Sequence, residues 1–368
     1  MNESKKNTTS RRQFMRTTTL GLAGTSFLLN SYPLFSIPGK ASKKVGVALV
    51  GLGYYSTDLL APALQETSTA YLAGIVTGTP EKEKIWADKY NIPEKNIFNY
   101  DNFDTIADNK DIDIVYVVLP NSMHKEFTIR AANAGKHVIC EKPMAMNQQE
   151  CREMIDACNR NKVALSIGYR LHYDPHNMEV IRLGQEKVFG EVLHISCGAA
   201  FRNTSKDHWK LQSQMGGGSM MDMGVYPLQA ARYVTGEEPI SVTAQGYTYR
   251  ENCKDIEEAV NFQLEFPGGT IANLSTGFHA GFNYLEVSAS KGSFYLKPYS
   301  GYGGIKGGSR EGTFDLPNIN QQSVHMDDVA NCILEGKAMR VPGEEGLKDM
   351  IVVDKVYEAL AKNCKIMI

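Results

Sequence analysis

The chain of 368 residues lacks a charge excess of either sign: 39 Lys and Arg face 41 Asp and Glu, for a formal net charge of -2. The basic residues are scattered, so neither the balance nor a basic groove supports nucleic-acid binding. Seven cysteines is an odd count, and no Cys-x-x-Cys or paired His/Cys spacing occurs. A disulfide framework or zinc site is therefore not expected. Cys140 lies in a strand pattern, and Cys151 and Cys158 fall on one helix, which suits small buried hydrophobes. The eight histidines are dispersed, which argues against a metal centre. There is no internal repeat, and the apolar stretch 17–29 is too short for a permanent membrane span.

What is present begins with an address. Ser10-Arg11-Arg12-Gln13-Phe14-Met15-Arg16, followed by that weakly apolar stretch and by Gly39-Lys40-Ala41, reads as a twin-arginine export signal over residues 1–41. A basic tail that happens to hold two arginines is the alternative. Export of a folded protein to the periplasm is the expectation.

Behind it, strand patterns at 45–50, 71–76, 112–119, 137–140 and 163–167 alternate with helical ones. They predict an α/β fold, with a doubly wound parallel sheet over 44–167, the plan of a dinucleotide-binding Rossmann domain. From 168 to 340 the strands lengthen and alternate with period two, as in Val260, Phe262, Leu264 and Phe266. That predicts an α+β domain with an open, mostly antiparallel sheet, helices at 175–187, 220–235 and 321–335, and a C-terminal helix within 341–368. One sheet face left bare would be covered by a second copy, so a homodimer or homotetramer is expected. A glycine-rich loop is expected over 301–312.

The first strand runs into Gly51-Leu52-Gly53-Tyr54-Tyr55-Ser56. Glycine at 51 permits the tight turn, glycine at 53 lets backbone approach a pyrophosphate, and a small residue at 56 allows close helix packing. The second strand ends in Val76-Thr77-Gly78-Thr79-Pro80-Glu81-Lys82, without the acid that would bind a ribose 2'-hydroxyl. Thr77 and Lys82 suit a 2'-phosphate, so NADP is favoured; Glu81 in the acidic role would make it NAD. Leu119-Pro120-Asn121 and His124 lie at the loop and helix start expected beside the nicotinamide, although a capped helix with a half-buried imidazole fits His124 equally. Glu141-Lys142-Pro143 ends another strand and sets a lysine where a nicotinamide would lie.

In the second half, Gly216-Gly217-Gly218-Ser219-Met220-Met221-Asp222-Met223-Gly224-Val225-Tyr226 sets a carboxylate and a phenol four apart, with Gly224 leaving room for a ligand. A plain helix turn with a core tyrosine reads the same way. As chemistry, Tyr226 is an acid/base for a hydroxyl that loses hydride. A free phenol titrates near 10, so work at neutrality needs about three units of depression, on the order of 4 kcal/mol. An ammonium roughly 4 Å away at an effective dielectric of about 20 supplies that much, and Lys142 is given the task. Asp222 would bond a neighbouring hydroxyl; Arg170 and His172 are candidate substrate contacts, and Arg170 is a candidate cofactor contact as well.

These motifs, with Ile167-Gly168-Tyr169-Arg170-Leu171-His172-Tyr173-Asp174-Pro175 and Arg232-Tyr233-Val234-Thr235-Gly236, resemble the glucose-fructose oxidoreductase/inositol dehydrogenase (Gfo/Idh/MocA) family over nearly all of both domains. The glucose-fructose oxidoreductase branch is the nearest in pattern. The resemblance implies that Lys142 is catalytic, that Asp222 and Tyr226 form that branch's Asp-x-x-x-Tyr pair, that Thr77 and Lys82 bind NADP, and that Tyr302 is a further active-site tyrosine. It implies a sugar substrate and a tightly bound cofactor that couples oxidation of an aldose to its lactone with reduction of a second sugar. An ordinary dehydrogenase with dissociating cofactor, a redox-assisted glycosidase and a non-catalytic nucleotide binder are the competing readings.

Overall fold

The computed structural model describes residues 44–368 apart from 204, 206, 207 and 254; the expected export segment lies outside the described residues. Six strands, β1 (Val45–Val50), β2 (Ala70–Val76), β3 (Ile97–Phe98), β4 (Ile114–Val117), β5 (His137–Cys140) and β6 (Leu165–Ile167), form a parallel sheet in the order β3-β2-β1-β4-β5-β6. All six residues of β1 are buried, as a strand covered on both faces requires. Its side chains part by the pleat: Ala48 and Val50 join a core with Phe103, Phe127 and Met154, while Val45, Val47 and Leu49 join one with Leu60, Leu64 and Trp86. The helices of this half are α1 (Ala61–Glu66), α2 (Pro80–Tyr90), α3 (His124–Asn133) and α4 (Gln148–Asn161). Cys151 and Cys158 face the core from α4.

The second sheet has nine strands: β7 (Val192–Ala200), β8 (Ser241–Tyr247), β9 (Ala259–Glu265), β10 (Ile271–Gly277), β11 (Phe282–Ala289), β12 (Gly292–Leu296), β13 (Gly307–Ser309), β14 (Gly312–Thr313) and β15 (Ile366–Met367). Its order is β14-β13-β12-β11-β7-β10-β9-β8-β15, parallel only between β7 and β10. In β9, Val260, Phe262 and Leu264 point inward, while Asn261 and Gln263 are exposed on the outer face. That outer face carries cross-strand polar pairs, Gln263 to Asn273 at 2.8 Å and Ser275 to Asn261 at 2.7 Å. The inner face packs on α5 (Pro175–Gln185) and α6 (Val225–Thr235).

Two placements differ from expectation. Part of the anticipated glycine-rich loop pairs as the β13–β14 hairpin, and β15 adds an edge strand after the terminal helix; strands this short show no readable period. Of the last two helices, α7 (Gln321–Glu335) returns to the first sheet's side, while α8 (Gly343–Lys362) packs between β8 of the second sheet and α4 of the first half. Met326 and Val329 of α7 enter the core of Leu49 and Leu60, each worth about 1.5–3 kcal/mol of burial. Among the described residues, no helix is long and apolar enough to cross a membrane.

Candidate active site

The loops that leave the carboxyl ends of β1, β4, β5 and β6 open on the crevice at the switch point between β1 and β4, where open α/β sheets bind ligands. Gly51 has φ +90°, and a Cβ there would lie 2.4 Å from the Val118 carbonyl oxygen, so only glycine makes this turn. Gly53 faces open space, with nothing within 4 Å of its Cβ position. Ser56 does more than pack closely, because its hydroxyl donates to the Gly51 oxygen at 2.6 Å and locks the loop. Tyr54 is exposed, and Tyr55 opens a widened helical turn, Tyr55–Leu60.

Lys82 reaches back from α2 to donate to the Leu52 carbonyl at 2.7 Å. Thr77 is buried at the end of β2 and accepts from Thr79 N at 3.1 Å. A hydroxyl and an ammonium therefore flank the glycine loop, with Glu81 exposed on the first turn of α2. An open glycine cradle with a cation beside it fits a phosphorylated dinucleotide.

After β4, Asn121 donates to the Gly216 carbonyl at 2.7 Å and hooks this loop to the second half of the chain. Of the two readings open for His124, the geometry matches the structural one, with the ring fully buried: its two nitrogens lie 2.9 Å from the carbonyl oxygens of Pro143 and Leu119. Burial pushes its pKa down, and the ring braces the turn that follows Lys142.

Glu141 is buried and accepts from the Tyr116 hydroxyl at 2.6 Å; burial raises its pKa. Lys142 crosses to the second half, where Nζ donates to the Asp222 carbonyl oxygen at 2.6 Å and lies 3.5 Å from Oδ1. The same ammonium stands 4.7 Å from the centre of the Tyr226 ring. Burial alone would lower the pKa of Lys142, but Tyr226, Asp222 and Glu141 outweigh it, so Lys142 stays charged.

Asp222 and Tyr226 are not held by a regular four-residue repeat, because Met220–Gly224 is a widened turn that leads into α6. The start of that turn is pinned by Glu257, whose carboxylate accepts from Met220 N at 2.8 Å and whose carbonyl accepts from Ser219 N at 3.0 Å. The space beside Gly224, expected to admit a ligand, is filled: a Cβ there would meet Met220 Sδ at 2.5 Å.

Arg170 is buried and donates to the carbonyls of Ser300 at 2.7 Å and Gly301 at 2.9 Å, and to Gln321. Its Nη2 also reaches the Tyr226 hydroxyl at 3.5 Å. Burial raises the Tyr226 pKa, yet Arg170 first and Lys142 second pull it below the usual phenol value. Lys142 was expected to do this alone; the larger cation is Arg170. Tyr302 is half-exposed, 4.3 Å from the Arg170 guanidinium and 5.9 Å from the Tyr55 ring.

His172 does not join this group. Its ring packs on Tyr233 at 4.0 Å, and burial pulls its pKa to about 3. Arg170–Tyr173 is a single 3-10 turn, and residues two apart on so tight a turn point to different sides.

Similarity to known proteins follows this geometry. Residues 45–169 match the oxidoreductase family with an NAD-binding Rossmann fold, and residues 178–295 match the GFO/IDH/MocA C-terminal domain. An aldose-aldose oxidoreductase from Caulobacter crescentus, solved with glycerol, is 40% identical, superposes with a TM-score of 0.86 and covers 89% of this chain and 100% of its own. The chain belongs to the Gfo/Idh/MocA oxidoreductase family. A D-xylose 1-dehydrogenase [NADP(+)] from Haloarcula marismortui is 28% identical over 328 residues, 86% of this chain and 91% of that protein. A 3-ketoreductase from Actinomadura kijaniata, at 23% identity and TM-score 0.77, covers 86% of this chain and 98% of its own and shares the fold.

This oxidoreductase also uses residues that sequence reasoning passed over. Lys210 donates to Asp222 Oδ2 at 2.8 Å, and Glu257, Tyr116 and Gln321 hold the site from outside. Lys210 sits in a three-residue turn between β7 and α6, too short for any periodicity to signal a role. Among the described residues, no group of three or more His, Cys, Asp or Glu is arranged to hold a metal.

Proposed function

We propose that this member of the family is an NADP-dependent sugar oxidoreductase that oxidises an aldose to its lactone and returns the hydride to a second sugar without releasing its nucleotide. The observation that carries the reading is the meeting of Lys142, Arg170 and Tyr226 at the strand ends beside the glycine loop. The glycine loop with Thr77 and Lys82 would hold NADP, which would supply a hydride acceptor there. Tyr226, its phenol depressed by two cations, takes the proton of the hydroxyl whose carbon gives up hydride. Lys142 and Arg170 stabilise the negative charge that develops on that oxygen. Asp222 accepts from an adjacent sugar hydroxyl and orients the ring. In the reverse direction Tyr226 returns the proton to the second sugar, so atoms and charge balance over the cycle.

Sugar as the substrate class draws support from the relatives, named as an aldose-aldose oxidoreductase and a D-xylose dehydrogenase. Retention of the nucleotide draws support from a strap: residues 300–302, anchored by Arg170, lay Tyr302 against Tyr55 of the glycine-loop helix, and Gln322 donates to the Tyr55 hydroxyl at 3.4 Å. Protein purified without added nucleotide is expected to gain the absorbance of reduced nicotinamide on adding an aldose and to lose it on adding a second sugar. A signal that no second sugar bleaches would leave a dehydrogenase with dissociating cofactor. The same reading puts the enzyme in the periplasm as a homo-oligomer. Replacing Arg11 and Arg12 together by Lys is expected to hold it in the cytoplasm, and normal export of that variant would remove the twin-arginine route.

A further inference from the structure

Asp222 faces two lysines, and the one outside the recognised motifs holds it more closely. Lys210 Nζ lies 2.8 Å from Oδ2, whereas Lys142 Nζ lies 3.5 Å from Oδ1 and spends its short bond on the Asp222 carbonyl. Lys210 belongs to the turn Trp209–Leu211, and its own carbonyl accepts from Gly218 N at 2.9 Å. Loop and helix start are thereby fixed to each other. The Lys210 ammonium also lies 5.4 Å from the Phe201 ring centre and 5.9 Å from that of Trp209, two aromatic faces that restrict where it points. With Asp222 side-chain exposure at 9% and Lys210 at 27%, the pair is shielded enough for its charges to count.

We propose that Lys210 is a positioning residue for hydride transfer: by occupying Oδ2 of Asp222 it turns Oδ1 toward the sugar and leaves the Lys142 ammonium incompletely neutralised beside Tyr226. This rests on the hydride-transfer reading of the site. Among the described residues, the charged and titratable groups around Asp222 are Lys210, Lys142, His208 and Tyr302. Around Tyr226 they are Arg170, Lys142, Glu141, Tyr55, Tyr299 and Tyr302. Without Lys210, Asp222 keeps one cationic partner among the described residues, and both carboxylate oxygens turn to Lys142. The pull of Lys142 on the phenol weakens and the Tyr226 pKa rises. Aldose oxidation uses the phenolate, so the rising limb of its rate moves to higher pH.

The test reads the Tyr226 phenol in NADP-saturated protein, as the tyrosinate absorbance difference between each protein and its Tyr226→Phe partner, alongside kcat for aldose oxidation against pH. Lys210→Met is expected to raise the Tyr226 midpoint by about one unit and to lower kcat near neutrality about tenfold, while Lys210→Arg restores both. In an Asp222→Asn background, Lys210→Met is expected to add nothing. Should Lys210→Met fail to fold, Lys210→Gln, which loses the charge but keeps a donor to Oδ2, is expected to give a smaller shift in the same direction. An unmoved midpoint, or an equal shift in the Asp222→Asn background, would overturn the role of Lys210. If no aldose reduces NADP on the wild-type protein, the functional reading falls, and the phenol titration still decides what Lys210 does.

Discussion

The two sheets serve the site in different ways. The parallel sheet is buried on both faces, so β1 is apolar throughout, and its contribution is delivered by the turns at its carboxyl ends: Gly51, Asn121, Lys142 and Arg170. The nine-stranded sheet is amphipathic, with Val260 and Phe262 inward and Asn261 and Gln263 outward. Its contribution is a helix laid on the inner face, with Asp222 and Tyr226 at its start. A doubly covered sheet makes a rigid floor whose strand ends present backbone and short side chains to a nucleotide. A half-covered sheet holds a separable wall that can carry a substrate's acid/base group. Lys142 and Arg170 are the cations that cross from the floor to the wall.

Substitutions break or sharpen that division. The largest effect is expected from Tyr226→Phe and Lys142→Ala, each losing about 10²–10⁴-fold in kcat while binding NADP as the parent does, read by steady-state kinetics and nucleotide titration. Loss of NADP binding in Tyr226→Phe would mean that floor and wall are not separable. Next comes Gly51→Ala, in which the new methyl meets the Val118 carbonyl at 2.4 Å in left-handed backbone. It is expected to cost about 1–3 kcal/mol and to abolish nucleotide binding, as seen by thermal denaturation with and without NADP.

Arg170→Met is expected to act on both regions. Tyr226 is depressed first by Arg170, so its removal raises the phenol pKa and shifts the rising limb of aldose oxidation to higher pH by about one unit. Freed of Arg170, the strap at Ser300 and Gly301 should also release nucleotide faster, measured by dilution of the loaded enzyme. The smallest effect belongs to the outer face of the wall: Ser275→Ala loses one exposed bond to Asn261. A change within about 0.5 kcal/mol and unaltered kinetics are expected.

How much of this was legible in the sequence follows from the same division. The floor is read from local signals, since an apolar run ending in Gly51-Leu52-Gly53 and an apolar run ending in Glu141-Lys142-Pro143 each name their own place in a parallel sheet. Tyr226 and Asp222 were visible as a glycine run entering a helix. Their partners were not: Lys210 meets Asp222 from a short 3-10 turn 12 positions away, Glu257 pins the Met220–Gly224 turn from the approach to β9, and Arg170 reaches Tyr226 across 56 positions. No periodicity encodes such meetings. His172 misled because sequence spacing does not say which way a 3-10 turn points its side chains, and His124 stayed open between two readings because a ring buried between two carbonyls and a ligand's neighbour look alike in sequence.

The most direct test is a single turnover on NADP-loaded protein: mix with excess aldose, record reduced nicotinamide, then add a second sugar. Stoichiometric reduction followed by bleaching in the wild type, with neither step in a Tyr226→Phe variant that still holds NADP, is the predicted result. Failure of every aldose to reduce the nucleotide, or wild-type turnover by Tyr226→Phe, would contradict it.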